Sequence, residues 1–105
     1  MATGSEMKAA MNALVRSRLT DLRRESFTEL AALPGECREE LIVHEKAVAL
    51  TTYRVERAPD RLLIVVQAFR NTLAGISAQI SVEGFLVSPN GDLESAPEEE
   101  LWDFT

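Results

Sequence analysis

The stretch Leu62-Leu63-Ile64-Val65-Val66-Gln67-Ala68-Phe69 decides the fold. It has strand length, is rich in β-branched and large apolar side chains, and contains no glycine or proline. At a period of two, Leu62, Ile64, Val66 and Ala68 make one wholly apolar face. Leu63, Val65 and Phe69 keep the opposite face apolar, interrupted by Gln67. A strand that is apolar on both sides belongs in the middle of a sheet, with cover above and below.

The flanking segments supply its neighbours. Ala47–Glu56 is rich in Val, Thr and Tyr and reads as a strand. Arg57-Ala58-Pro59-Asp60 turns it back, because proline presets φ and aspartate bonds its own backbone. Before it, Leu41-Ile42-Val43 is a short strand and His44-Glu45-Lys46 a turn. After the central strand, Asn71–Gly75 forms a loop. Ile76, Ala78, Ile80 and Val82 then alternate with polar residues, the mark of a half-buried strand. Phe85 and Val87 fall on the opposite phase, which predicts a glycine bulge at Gly84. Pro89-Asn90-Gly91 closes this strand with a turn.

The ends read as helices. Met7, Met11, Leu14, Val15, Leu19 and Leu22 recur at steps of three and four, one face of an amphipathic helix with Ser5 as its expected N-cap. Arg16, Arg18, Arg23 and Arg24 lie on its polar sides, where Asp21 and Glu25 are their expected partners. Ser26-Phe27-Thr28-Glu29 is a capping box for a second, short helix that Pro34-Gly35 ends. Ser95-Ala96-Pro97-Glu98 repeats the pattern and predicts a terminal helix anchored by Leu101, Trp102 and Phe104, with Trp102 packed against the body. The element order is α-α-β-β-β-β-α. It predicts one α+β domain over residues 1–105, a two-layer sandwich in which a four-stranded antiparallel meander carries the N-terminal helix on one face.

Composition narrows the function classes. Of 105 residues 46% are hydrophobic and 27% charged, ordinary for a folded domain. The net charge of −6 arises entirely after Gly91, where Asp92, Glu94, Glu98, Glu99, Glu100 and Asp103 meet no basic residue. Phosphate backbones repel such a patch, so no nucleic-acid partner is expected. In outline the element order resembles that of the double-stranded-RNA-binding domains, but the extra strand, the acidic end and the scarcity of lysine (Lys8 and Lys46 alone) set it apart. One cysteine, Cys37, forms no internal disulfide. No apolar run approaches the roughly 20 residues of a membrane helix, and no leader pattern is visible, so the expected location is the cytoplasm.

Candidate chemistry is sparse. His44 is a lone histidine at a turn. Cys37 lies among Glu36, Glu39 and Glu40, which oppose thiolate formation. One cysteine and one histidine make no zinc site, and the isolated glycines make no phosphate loop, so neither metal nor cofactor is expected. The expected function is a non-enzymatic protein-interaction domain that binds a protein partner or a second copy of itself, with Glu99, Glu100 and Asp103 as its acidic surface. One helix cannot cover both faces of the sheet, so the face of Leu63, Val65 and Phe69 needs the terminal helix, a partner or a second copy, which is the reason to expect a homodimer. The alternative is a small-molecule binder or enzyme with a pocket between helix and sheet, reached by Glu83, Tyr53 and Arg70.

Overall fold

The computed structural model describes residues 4–72 and 77–105. The central strand is central: β3 (Arg61–Thr72) pairs antiparallel with β2 (Lys46–Arg57) on one side and β4 (Ser77–Val87) on the other. β1 (Glu36–Val43) adds to β2, and a three-residue β5 (Leu93–Ser95) adds to the end of β4. The sheet therefore has five strands in the order β1-β2-β3-β4-β5, one more than the sequence pattern predicts. The extra strand is too short to carry a period. The predicted loop at residues 71–75 is shortened from one side, because β3 runs on to Thr72; residues 73–76 lie outside the described set, Ile76 of the predicted alternation among them.

Helix α1 (Gly4–Arg23) lies on the inner face of this sheet. It already includes Ser5, so Ser5 is a helical residue and not the cap. Met7, Met11, Val15, Leu19 and Leu22 are buried against Val48, Leu50, Ile64, Val66, Ala68 and Phe85. The residues one step further round the helix, Lys8, Asn12 and Arg16, turn toward β4. Lys8 Nζ donates to the Ile80 carbonyl, Ser81 Oγ bonds Asn12 Oδ1, and Arg16 Nε stands 3.6 Å from Glu83 Oε1. On the other flank Arg18 reaches β1, with Nη2 2.8 Å from Glu39 Oε1. Arg16 and Arg18 thus pair with carboxylates on the sheet.

α2 (Phe27–Ala31) starts with the predicted capping box: Glu29 N–H donates to Ser26 Oγ at 3.1 Å and Ser26 N–H to Glu29 Oε1 at 2.9 Å. Leu30 enters the core beside α1.

One sequence expectation gives way here. β4 has no bulge at Gly84, because the β3–β4 register runs unbroken from Leu62↔Val87 to Thr72↔Ser77. Ile80 and Val82 therefore lie on the outer face, away from α1, while Phe85 and Val87 lie on the inner face. The apolar phase changes because α1 meets the first half of β4 with polar side chains and its second half with apolar ones. Gly84 is required for closeness instead: a Cβ there would come within 2.6 Å of the Ile64 carbonyl oxygen and 3.3 Å of Leu101.

The β1–β2 turn holds a second constraint. Val43 pairs with Lys46, leaving a two-residue loop in which His44 and Glu45 both take positive φ, 48° and 67°. That is the backbone of the mirror-image hairpin turns in which Asn-Gly is preferred. Glu45→Gly is expected to raise stability by about 0.5–1 kcal/mol by removing a Cβ from left-handed backbone, visible as a higher urea midpoint at unchanged slope.

Acid sensitivity follows from two carboxylates. Bonds from Ser26, its backbone N–H first and its hydroxyl second, hold Glu29 below the usual carboxylate range. The hydrogen bond from Arg18 lowers Glu39 in the same way. A carboxyl depressed in the folded state adds stability above its unfolded pKa and loses it as pH falls through the folded one. Urea midpoints measured from pH 7 down to about pH 3 should fall, and Glu29→Gln with Glu39→Gln should flatten that fall while lowering the plateau at neutral pH.

Candidate functional site

The outer face of the sheet is covered over only part of its extent. β5 runs beside β4 as far as the bond from Ala96 N–H to the Gly84 carbonyl at 3.1 Å, and Pro97 then ends the pairing. The chain crosses onto the outer face as α3 (Glu98–Leu101) and a 3-10 turn (Trp102–Phe104). Ser95 lies in β5, so no capping box forms. Pro97 occupies the cap position of α3, with no side-chain bond.

Leu101, Phe104 and Ala96 pack on Leu63, Val65 and Leu86, with Tyr53, Val55 and Val82 around them. Phe104 meets Tyr53 at 4.9 Å between ring centres, and its carbonyl accepts from Gln67 Nε2. Gln67, the polar break in the central strand, is thus a tether for the C-terminal segment. Arg57 Nε reaches Glu100 Oε2 at 2.9 Å and ties α3 to the β2–β3 hairpin.

Trp102 is 66% exposed, not packed against the body as its size suggested. Gly84 leaves room for Leu101, and the following 3-10 turn aims Phe104 inward and Trp102 outward. Of the predicted acidic surface, Glu99 and Asp103 are exposed, while Glu100 is half-buried in its pair with Arg57.

Glu83, Tyr53 and Arg70 are not brought together. Glu83 is on the inner face beside Arg16, Tyr53 is under Phe104 on the outer face, and Arg70 donates from Nε to Gln79 Oε1 at 2.6 Å. Buried side chains fill the middle of the space between α1 and the sheet, and at its β4 edge a cleft of about 520 Å³ is lined by Arg16, Arg23, Glu83 and Glu98. His44 and Cys37 are exposed. Among the described residues no group of three or more His, Cys, Asp or Glu is placed to hold a metal ion, and no helix is long and apolar enough to cross a membrane.

Two features escaped the sequence reading. The first is an open edge: β5 pairs only with Phe85–Val87, so no described strand accompanies residues 77–83 of β4 on that side. Beside it the outer face carries Phe69, Ile80 and Val82, all half-buried, and further across exposed Ala47 and Ile42, the latter 75% exposed. The second is a cleft of about 520 Å³ between α2 and the β2–β3 turn, with Arg54 on its α2 side, while Arg57 and Arg61 border it but reach to Glu100 and Glu94 on the other face of the sheet. Its lining, from Phe27 to Pro89, is scattered in sequence, and only the fold brings it together.

The C-terminal cover gives a direct test. Phe104→Ala should cost about 2 kcal/mol, less than the roughly 3–5 kcal/mol of a fully buried ring. Trp102→Ala should change the urea midpoint little, and Trp102 emission should lie close to that of free tryptophan in water. Comparison with known protein families, curated proteins and solved structures finds no match to this chain.

Proposed function

We propose that this chain is a non-enzymatic protein-interaction domain whose partner is a second copy of itself, joined through the open edge of β4 and the adjoining outer face. The observation that carries the reading is the edge itself. No described strand lies beside residues 78–83 of β4 on their outer side, and although Lys8 already takes the Ile80 carbonyl there, the remaining backbone donors and acceptors of such an edge are a template for another strand. The two edges of the sheet differ in this respect. β1 carries Glu36, Arg38, Glu39 and Glu40, charges that discourage pairing. In Ser77–Gly84 of β4 the one charged residue is Glu83, already engaged by Arg16.

Antiparallel pairing of two β4 strands about a twofold axis is self-complementary, as a closed dimer requires. It would set Ile80 and Val82 of each copy side by side on one outer face and extend the apolar surface that Phe69 begins. The exposed Glu99 and Asp103 would remain at the rim.

Sedimentation equilibrium at tens of micromolar protein is the test, with a dimer mass expected. Each copy carries a net charge of −6, so raising the salt should strengthen association by screening like charges. Val82→Pro removes an edge donor, and Ile80→Lys places a charge on the shared face; each should give a monomer with unchanged circular dichroism. A monomer in the unsubstituted chain at both low and high salt would end the proposal.

A further inference from the structure

We infer that Lys8 is a latch on the open edge of β4, a contact within one copy that holds off the second. The inference rests on the dimer proposed above and concerns how that same edge is controlled.

The backbone sets where the latch sits. Ala96 N–H donates to the Gly84 carbonyl at 3.1 Å and Ser88 N–H to the Asp92 carbonyl at 3.0 Å, so Gly84 and Ser88 direct their backbone groups to the β5 side of β4. That direction alternates along a strand. In the stretch that no described strand accompanies, Ala78, Ile80 and Val82 therefore direct their N–H and C=O groups to the open side. Ile80 is the middle one of the three. Lys8 follows the buried Met7 on the flank of α1 nearest β4, and its Nζ donates to the Ile80 carbonyl. An ammonium group thus occupies the central acceptor of the edge. Lysine is a common guard of edge strands; here it comes from the helix and not from the strand itself.

The register of the dimer makes that carbonyl decisive. Twofold pairing centred on Ile80 sets Ile80 opposite Ile80 of the second copy and Ala78 opposite Val82 in both directions. A shift of two residues toward β5 would set Ala78 of the second copy opposite Gly84, where Ala96 already stands. The opposite shift leaves Val82 without a partner among the described residues. In the centred register each Ile80 N–H needs the Ile80 carbonyl of the other copy, the group that Lys8 holds. The two Lys8 side chains would also meet across the axis, because paired strands lie only about 4.8 Å apart. Within Ser77–Gly84 the one acidic residue is Glu83, and Arg16 engages it. Pairing therefore requires both ammonium groups to leave the edge.

Sedimentation equilibrium of the full chain, at low and high salt, compares the unsubstituted protein with Lys8→Met and Lys46→Met. Either substitution takes the net charge from −6 to −7, which by general repulsion opposes association. Lys46 lies at the β1–β2 turn, on the far side of the sheet from β4, and controls for charge alone. Lys8 is exposed, and methionine keeps an unbranched stem while removing the ammonium. Lys8→Met is expected to lower the dimer dissociation constant about tenfold, since two hydrogen bonds of modest net worth no longer compete with pairing. Lys46→Met should leave the constant unchanged or raise it. The ¹³C resonance of the Ile80 carbonyl should move upfield in Lys8→Met and stay in place in Lys46→Met. A dimer formed by Lys8→Met alone would also support the latch. If the unsubstituted chain dimerises and Lys8→Met is no tighter than Lys46→Met, the latch is overturned and the dimer stands. If none of the three proteins associates at either salt, the dimer fails and the latch with it.

Discussion

Four residues of α-helix rise about 6 Å and two residues of strand about 6.7 Å, so every fourth position of a helix can meet alternate side chains of a strand beneath it. Asn12 and Arg16 do this with Ser81 and Glu83. Gly4 and Lys8 continue the stripe through longer reaches, Gly4 accepting from Gln79 Nε2 at 3.1 Å and Lys8 donating to the Ile80 carbonyl. This polar seam fixes the rotation of α1 about its own axis. With Lys8, Asn12 and Arg16 directed to β4, the preceding residues Met7, Met11 and Val15 must point into the sheet, and Arg18 on the far flank must point to β1.

The seam also explains the division of β4. Its first half gives the helix serine, glutamine and glutamate, so its apolar side chains are left for the outer face. Its second half gives Phe85 and Val87 to the core, where Arg23 lies over the Phe85 ring at 5.5 Å. A strand that serves two faces in turn needs cover on both. The C-terminal segment provides it only where Leu63, Val65 and Leu86 lie. The uncovered remainder, around Phe69 and Ile80, arises from how α1 is docked and not from a local accident of β4.

Much of this was legible in the residues. The apolar faces of Leu62–Phe69 placed β3 at the centre, the steps from Met7 to Leu22 placed α1, and Ser26 with Glu29 placed α2, because each signal is local and repeats several times. The bulge at Gly84 was misread because period alone cannot distinguish a chain that slips from a facing surface that changes from polar to apolar. Trp102 was misread because size argues for burial, whereas the phase of a short helix passing into a 3-10 turn decides which side chain faces in. The cleft beside the β2–β3 turn had no sequence signal, since its lining, from Phe27 to Pro89, is scattered along the chain. The open edge was equally hidden: that β4 outruns its last neighbour depends on Pro97 ending the pairing.

The seam joins residues 75, 72 and 69 positions apart along the chain. On a ribosome adding about 5–20 residues per second, roughly 4–14 seconds separate the two halves of each bond. A helix of this length is marginal in water by itself, so α1 must wait, its methionine and leucine stripe exposed, until β4 has been made. An element made before the sheet is thus placed only after it. Such distant pairings slow folding, and they make the interval before β4 emerges the period in which this chain is most open to aggregation or to capture by a chaperone.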